Sequence, residues 1–352
     1  MKVDYIITGQ GICGTLLSQM LMSAGKTVMV FDQFSEFSAG RVASGLINPV
    51  TGMRVVKSWL MDELLPAANE IYSGLEDTFG IKIMNPVSIL EFHPTAEAND
   101  IFNSRLPQYP EHIRIAEHKE RWQQLFHCSH GVGEITSSII IDLRLLQDTW
   151  RLRLKEAGAL REELLDWSKC IVEENRVTYK DIEARKIICC EGIAGSEHPY
   201  FKMLPFALNK GEILIVDIPG LPRNHVYKNG LKIAPWEDGK FWVGASFDWK
   251  YTDTVISEAF RKQTERQLKQ WLKLPFTIEA HWVALRPASV DHKPFAGFHP
   301  LHPAVGIFNG MGAKGCSQAP YFARNLAGHL LNGTPLHKEA DVMRYKGMLS
   351  RG

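Results

Sequence analysis

The feature that most restricts the fold of this chain is a strand–helix–strand unit in its first residues. A β-rich run covers residues 3–8, apolar residues recur at helical spacing over 16–24, and residues 27–31 form a second buried run. A helical connection places two such strands parallel in one sheet. The pattern therefore predicts an α/β protein whose parallel sheet begins at the start of this sequence.

Three glycines and one acid occupy the key positions of this unit: Gly9, Gly11 and Gly14 follow the first strand, and Asp32 follows the second. Gly9 allows a tight turn, Gly11 lets the backbone approach a pyrophosphate, and Gly14 lets the helix pack closely on the sheet. The helix N-terminus adds about half a positive charge and unpaired N–H donors. Asp32 can accept hydrogen bonds from a ribose hydroxyl. The unit predicts a dinucleotide site for FAD or NAD rather than NADP, which would favour a basic residue near position 32.

A second glycine-rich segment lies between a predicted strand at 305–308 and a predicted helix at 317–331. It consists of Gly310, Met311, Gly312, Ala313, Lys314 and Gly315. A helix N-terminus or Lys314 at this place would stabilise the negative charge that a reduced flavin carries at its N1–C2=O2 edge. The alternative is a glycine-rich helix entry that serves only packing.

The remaining pattern is α/β at both ends of the chain with antiparallel strands between them. Helices are predicted at 56–79, 143–157 and 258–272, and antiparallel strands at 213–218, 226–234 and 241–246. This order predicts a nucleotide-binding domain that is interrupted by a second domain built mostly from antiparallel strands. The predicted division is 1–80, 135–205 and 290–352 for the first domain, and 81–134 and 206–289 for the second.

Composition and residue spacing argue against several classes of binding partner and site. With 40 Lys+Arg against 39 Asp+Glu the net charge is +1, which argues against nucleic acid as a partner. The six cysteines form no CxxC pair, which predicts reduced thiols in a cytoplasmic protein. Uninterrupted apolar runs all fall short of the about 18 residues that span a bilayer. The histidine-containing stretches 127–130 and 299–302 lack a second half at zinc-site spacing, so no metal site is predicted.

Along nearly the whole chain, the sequence resembles the D-amino-acid oxidase, glycine oxidase and sarcosine oxidase family of FAD-dependent oxidoreductases. Besides the two glycine-rich segments, the matching stretches are Ala43-Ser44-Gly45-Leu46-Ile47-Asn48-Pro49, residues 186–192, Lys210-Gly211-Glu212, residues 242–246 and residues 285–297. The resemblance implies FAD as the cofactor and a first domain that is Rossmann-like, of the glutathione-reductase type. The residues it places against FAD are Gly9, Gly11, Ile12, Cys13, Gly14, Asp32, Gln33, Ala43, Ser44, Gly45, Leu46, Gly192, Gly310, Met311, Gly312, Ala313, Lys314 and Gly315.

The reaction implied by this resemblance is oxidation of an amine to an imine on a small amino acid of the glycine, N-methyl or D type. Arg286 matches the family's Arg-Pro position, where a guanidinium can hold a substrate carboxylate through a bidentate, charge-assisted contact. The alternative is a structural arginine paired with an acid such as Asp291. Because the amine must be neutral to release a hydride, activity is expected to rise towards alkaline pH. Oxygen and a membrane quinone both stay open as the electron acceptor.

Other functions stay open on the sequence. Residues 43–51 and 312–320 also resemble the FAD domain of the bifunctional tRNA wobble-uridine modification enzyme, which oxidises a carboxymethylaminomethyl group on RNA. An NAD-dependent dehydrogenase would account for the first glycine motif only. A non-catalytic flavin-binding module is disfavoured if Arg286 faces the flavin.

Several conspicuous side chains are expected to have ordinary structural roles. Arg41, Arg54 and Lys57 are expected to be solvated charges, and Cys316 a small buried residue at a helix start rather than a site of flavin attachment. The aromatic residues expected to form strand core are Phe241, Trp242, Phe247 and Trp249.

Overall fold

The computed structural model describes residues 1–351, with the side chain of Lys119 outside the description. The strands of this part are β1 Lys2–Thr8, β2 Val28–Phe31, β3 Leu46–Ile47, β4 Val50–Thr51, β5 Val56–Lys57, β6 Met84–Phe92, β7 Ile113–Ile115, β8 Val132–Ile141, β9 Leu160–Arg161, β10 Cys170–Val172, β11 Val177–Tyr179, β12 Ile182–Cys189, β13 Phe206–Asp217, β14 His225–Asn229, β15 Leu231–Pro235, β16 Phe241–Gly244, β17 Thr277–Ser289, β18 Phe295–Phe298 and β19 Val305–Asn309. The helices are α1 Ile12–Ser23, α2 Ala39–Val42, α3 Met61–Phe79, α4 Ala96–Arg105, α5 Lys119–Leu125, α6 Leu143–Glu156, α7 Glu258–Trp271, α8 Gly315–Asn332 and α9 Lys346–Leu349.

The first sheet is the one that the N-terminal unit predicts. Its order is β10-β11-β12-β1-β2-β9, with β19 beside β12 and β18 beside β19. β1 runs parallel to both β2 and β12, and β12 runs parallel to β19. Leu16 and Leu17 of α1 and Phe322 of α8 are fully buried in the core on one face of this sheet. Both glycine-rich segments therefore lie between a strand of this sheet and a helix that packs on it.

The second sheet has the order β17-β13-β16-β15-β14-β6-β8-β3, with β7 beside β8. Its pairs are antiparallel except for β14 with β6. One face packs on α7 through Leu268 and Trp271. The other face packs against Val42, Val50 and other residues of the segment that follows β2. This second face is called the inner face below.

The predicted fold class, a Rossmann-like α/β unit interrupted by a mostly antiparallel sheet, is confirmed. Its domain bounds stay a proposal. β3 lies within 1–80 but pairs with β8, and β8 itself crosses the predicted boundary at 134/135. Among the described residues, no helix is both long and apolar enough to cross a bilayer.

Two element predictions were wrong in detail. Residues 226–234 form the hairpin β14–β15 instead of one strand, because Gly230 reverses the chain with φ +66°. The helix predicted at 56–79 begins only at Met61, after β5, and continues through Pro66. Pro66 lies near the helix start, where it removes one backbone hydrogen bond, and buried residues on either side such as Leu64 and Ala68 hold that turn on the core.

Candidate active site

In the first glycine turn, Gly9 and Gly14 pack tightly against protein backbone, whereas the space beside Gly11 is free of protein atoms. Gly9 has φ +88°, and a Cβ there would lie 2.4 Å from the carbonyl oxygen of Cys190. A Cβ on Gly14 would lie 1.9 Å from the carbonyl oxygen of Gly9, whereas a Cβ on Gly11 would meet no atom within 4 Å. Gly11 is the N-cap residue of α1, and no side chain caps this helix. Open backbone and uncapped N–H groups therefore fit the pyrophosphate of a dinucleotide.

Asp32, at the end of β2, is held by other protein groups. Its Oδ1 accepts hydrogen bonds from Arg151 Nη1 at 2.6 Å and from the backbone N–H of Phe34 at 2.8 Å. Its Oδ2 accepts the backbone N–H of Gln10 at 2.8 Å. A ribose hydroxyl would thus share this carboxylate with Arg151. Arg151 could not be predicted from the sequence, because it comes from α6, 119 residues away, and no local motif marks it.

The two glycine-rich segments touch each other, and the second one also contacts β17, the strand that carries Arg286. A Cβ on Gly315 would lie 3.4 Å from Cγ2 of Ile12, so the two segments touch. A Cβ on Gly312 would lie 3.0 Å from the Cβ of Ala288, which stands two residues after Arg286 on β17. A dinucleotide held by the first segment can therefore reach the second segment and the inner face of the second sheet.

The segment that follows α2 lies beside the start of α8. A Cβ on Gly45 would lie 1.9 Å from the carbonyl oxygen of Ile141, and φ at Gly45 is +70°. The carbonyl oxygen of Leu46 accepts the thiol of Cys316 at 3.4 Å. Ala43 is exposed and Ser44 is half-buried. A glycine is required at position 45 for this close approach of two chain segments.

The remaining predicted cofactor residues differ in exposure. The carbonyl oxygen of Gly192 accepts Asn309 Nδ2 at 2.8 Å, which places Gly192 beside the second glycine-rich segment. Cys13 and Met311 are buried, whereas Gln33 and Ala313 are exposed.

Lys314 is the cation of the second segment. Its Nζ donates to Ser58 Oγ at 3.4 Å, and no carboxylate of the described residues lies within ion-pair distance of it. Burial lowers the pKa of Lys314, and the nearby Cys316 opposes that shift. A partly buried ammonium with a hydroxyl as its only hydrogen-bond partner suits the electron-rich edge of a flavin.

Arg286 lies on the inner face of the second sheet. Its Nη1 donates to Asn209 Oδ1 at 2.5 Å and to the carbonyl oxygen of Ser246 at 3.1 Å. The ring of Phe247 lies 4.4 Å from the guanidinium carbon. A Cβ on Gly211 would lie 2.0 Å from Nη2, so the guanidinium lies directly over this glycine. Burial lowers the pKa of Arg286 to about 10, so the group stays charged at neutral pH.

The structural alternative for Arg286 is wrong. Asp291, the suggested partner, lies 3.4 Å from Arg344 Nε and accepts the hydroxyl of Tyr345 at 2.9 Å. No carboxylate within residues 1–351 forms an ion pair with Arg286, and its Nε and Nη2 donate no hydrogen bond there. A half-buried guanidinium that has no anion among these residues has the chemistry to bind the carboxylate of a ligand.

Other expectations need correction. Arg41 is not solvated: it is buried and forms a bidentate contact with Asp148 at 2.6 and 3.0 Å. Phe247 and Trp249 are not strand core, since 54% and 50% of their surfaces are exposed on the segment after β16. Phe241 and Trp242 are buried as predicted.

The expected roles of the other conspicuous residues hold. Arg54 is exposed, and Lys57 is a surface charge paired with Asp62 at 3.0 Å. Cys316 is buried, which raises the pKa of its thiol to about 11. Within the described part of the chain, no group of three or more His, Cys, Asp or Glu side chains could hold a metal ion.

The fold and the two glycine-rich segments define a class: an oxidoreductase that binds a flavin dinucleotide. Residues 4–328 match the model of the DAO family, described as FAD-dependent oxidoreductases. The chain belongs to this family of FAD-dependent enzymes, as the resemblance of its motifs implied.

Individual relatives agree with this assignment. The chain is 26% identical over 170 residues to glycine oxidase of Bacillus subtilis (strain 168), an alignment that covers 46% of this chain and 44% of that protein. Glycine oxidase from Geobacillus kaustophilus has the same fold, with a TM-score of 0.80, 18% identity and 98% of both chains covered. Iminodiacetate oxidase from Chelativorans sp. BNC1 superposes with a TM-score of 0.75 at 21% identity, over 97% of this chain and 98% of the other.

Proposed function

We propose that this protein oxidises the C–N bond of a small amino acid to an imine. The observation that carries the proposal is Arg286, a half-buried guanidinium that has no anionic partner within residues 1–351. It stands two residues from Ala288, which touches the second glycine-rich segment. The three relatives named above take their names from glycine and iminodiacetate, and both compounds carry a carboxylate on the carbon next to the amine. A carboxylate bound to Arg286 would hold that carbon near the flavin.

The chain contributes binding and orientation to this reaction. FAD, when bound, supplies the oxidant and accepts a hydride from the α-carbon. Asn209 and the Ser246 carbonyl fix the guanidinium of Arg286, which leaves Nε and Nη2 to hold the carboxylate. The amine nitrogen loses one proton to solvent as the C=N bond forms, and water then hydrolyses the imine to a carbonyl compound and an amine.

We infer that the predicted cofactor residues hold FAD in two groups. Gly9, Gly11, Gly14 and Asp32 would bind the pyrophosphate and ribose, and residues 43–46, Gly192 and residues 310–315 would surround the flavin. The six cysteines are free in the structure, which supports the proposed cytoplasmic location. Oxygen or a quinone would then reoxidise the flavin.

The test compares amines with and without a carboxylate. Sarcosine with dimethylamine, and glycine with methylamine, form two such pairs, and anaerobic reduction of the FAD-loaded protein is followed in the visible spectrum. A charge-assisted hydrogen bond contributes about 1.5–3 kcal/mol, so Arg286→Met should weaken capture of the carboxylate-bearing partner at least about tenfold. Arg324→Met removes an exposed guanidinium of α8 and should change nothing. Equal reduction of wild type by both members of each pair would contradict the role of Arg286.

A second candidate has a specific observation in its favour. Phe247, which covers Arg286, is 54% exposed, and Trp249 on the same segment is 50% exposed. Exposed rings beside a carboxylate site could stack on a base, so a carboxymethylamino group on a tRNA wobble uridine could be the substrate. Binding to tRNA that weakens steeply with salt, together with flavin reduction by that tRNA alone, would support this candidate. Flavin reduction by a free amino acid would favour the first proposal.

A further inference from the structure

Lys232, on β15, faces the same side of the second sheet as Arg286. Side chains alternate between the faces of a strand, and Ala234, two residues after Lys232, packs in the inner-face cluster. On β17, Ala284 packs against that cluster, and Arg286 is two residues further on. Both cations therefore project from the inner face, towards the segment that carries the predicted flavin contacts.

Strand register brings Lys232 to the neighbourhood of Arg286. Lys232 pairs with Gly244 of β16, and Gly244 pairs with Ile213 of β13. The guanidinium of Arg286 lies over Gly211, two residues before Ile213, and donates to the carbonyl of Ser246, two residues after Gly244. The two cations thus lie on either side of β16, near its C-terminal end.

Among the described residues Lys232 has no anionic partner, whereas the neighbouring Lys228 has one. Lys228 pairs directly with Lys232 across the β14–β15 hairpin, and its Nζ donates to Glu91 at 2.6 Å. Lys232 forms no hydrogen bond or ion pair with any other residue that the structure describes. Burial and, to a smaller extent, the positive charges of Lys228, Lys314 and Arg286 together lower the pKa of Lys232 to about 8. A partly buried cation in this position is stabilised only when a ligand brings an anion.

Three cations of this region, Lys314, Arg286 and Lys232, have no carboxylate partner among the residues that the structure describes. Lys314 belongs to the second glycine-rich segment and suits the flavin, and Arg286 suits the substrate carboxylate on the carbon that is oxidised. Lys232 remains. We propose that Lys232 binds a second carboxylate of the substrate, so that the preferred substrate is an amine that bears two carboxylates. This inference rests on the proposed function.

The test uses ligands that cannot be oxidised at nitrogen. Diglycolate carries two carboxylates around an ether oxygen, and methoxyacetate is the matching monocarboxylate. Binding of each is measured by perturbation of the flavin spectrum of the FAD-loaded protein. We expect wild type to bind diglycolate about 10- to 100-fold more tightly than methoxyacetate, the range that a charged hydrogen bond contributes.

Variants test whether Lys232 itself, rather than another residue of the site, binds the second carboxylate. Lys232→Met should weaken diglycolate binding to the level of methoxyacetate and leave methoxyacetate unchanged, and Lys232→Arg should restore part of the preference. Lys240→Met is the control, because Lys240 lies in the turn just before β16 and already pairs with Glu279 of β17 at 3.1 Å. If Lys232→Met does not fold, the comparison in wild type still decides whether the site binds a second carboxylate, and Lys232→Arg tests the part of Lys232 in it.

Three results would overturn the inference. The first is equal binding of diglycolate and methoxyacetate by wild type, and the second is an equal loss of binding of both ligands in Lys232→Met. The third is a change in the flavin reduction potential of Lys232→Met with an unchanged preference for diglycolate, which would assign Lys232 to the flavin. Anaerobic reduction by iminodiacetate and by sarcosine separates this failure from failure of the proposed function. Reduction by sarcosine without preference for iminodiacetate contradicts only the second carboxylate, whereas no reduction by any amine contradicts the oxidation itself.

Discussion

At the scale of residues, two nearby arginines differ in whether a neighbouring carboxylate neutralises their charge. Arg344 faces Asp291 at 3.4 Å and donates to the carbonyl of Pro294, so its charge is used inside the protein. Within the described part of the chain, Arg286 has only neutral acceptors, Asn209 and the Ser246 carbonyl, so its charge is available to a ligand. The Arg-Pro resemblance indicated this role, but the exclusion of Asp291 needed the structure.

The first residue-scale prediction concerns the protonation of the substrate. The reacting amine must be neutral, and Arg286, with a pKa of about 10, keeps its charge over most of the useful range. The rate of anaerobic flavin reduction at subsaturating amino acid should rise about tenfold per pH unit below the pKa of the amine. Stopped-flow reduction at several pH values checks this, and a flat profile would contradict it.

The second residue-scale prediction concerns Lys232. Its charge is lost as pH rises through a pKa of about 8, a value set by burial and by Lys228, Lys314 and Arg286, with Cys316 in opposition. Diglycolate binding should therefore be constant below that pH and weaken above it, by up to about tenfold per pH unit. Methoxyacetate serves as the control, because it uses Arg286 alone. An identical pH dependence of both dissociation constants would show that Lys232 does not distinguish them.

At the scale of elements, the β1–α1–β2 unit was predictable and the residues that support it were not. The alternation of strand and helix, and the glycine spacing, are local, so they can be recognised over about thirty residues. Arg151 reaches Asp32 from 119 residues away, and that contact depends on how α6 packs. Lys232 gave no signal either, because a polar residue in an apolar strand is the ordinary pattern of a sheet face. The β14–β15 hairpin did carry a signal, the Asn229-Gly230 pair that favours tight turns.

The element-scale prediction uses two glycines of one turn. A Cβ on Gly11 meets nothing within 4 Å in the protein, but it would stand where a pyrophosphate must approach. Gly11→Ala should keep the fold and its circular dichroism spectrum while weakening FAD binding at least about tenfold, equivalent to about 1.4 kcal/mol. Gly74→Ala, on α3 and away from the turn, is the control, because a Cβ there also meets no atom within 4 Å. FAD binding by Gly11→Ala at wild-type affinity would contradict the assignment of this turn.

At the scale of the whole molecule, the segment that follows β2 packs on the second sheet and so connects the two sheets. Trp242 Nε1 of the second sheet donates to the carbonyl of Val42 at 2.8 Å, and this tryptophan is buried. Val42 lies between the end of β2 and the predicted flavin segment 43–46. A dinucleotide that lies along this connection would contact residues of both sheets, so its binding should stabilise the molecule as a whole.

The whole-molecule prediction is a cofactor-dependent unfolding temperature. Free FAD at about 100 times its dissociation constant adds about 2.7 kcal/mol to the free energy of unfolding, so the transition should move up by several degrees as one step. Riboflavin lacks the pyrophosphate and adenosine, and should give a smaller shift at equal concentration. Differential scanning calorimetry checks both. A shift as large with riboflavin, or a separate transition that FAD leaves unmoved, would contradict a dinucleotide site that spans both sheets.

The central claim is that an amino acid held by Arg286 reduces the flavin of this protein, and its most direct test is an anaerobic titration. The FAD-loaded protein is mixed with glycine, sarcosine, D-proline and iminodiacetate, and the visible flavin bands and the released carbonyl compound are measured together. We expect at least one amino acid to bleach the flavin and to release one carbonyl compound for each flavin reduced. A flavin spectrum that none of these compounds bleaches, in a protein that binds FAD, would contradict the account.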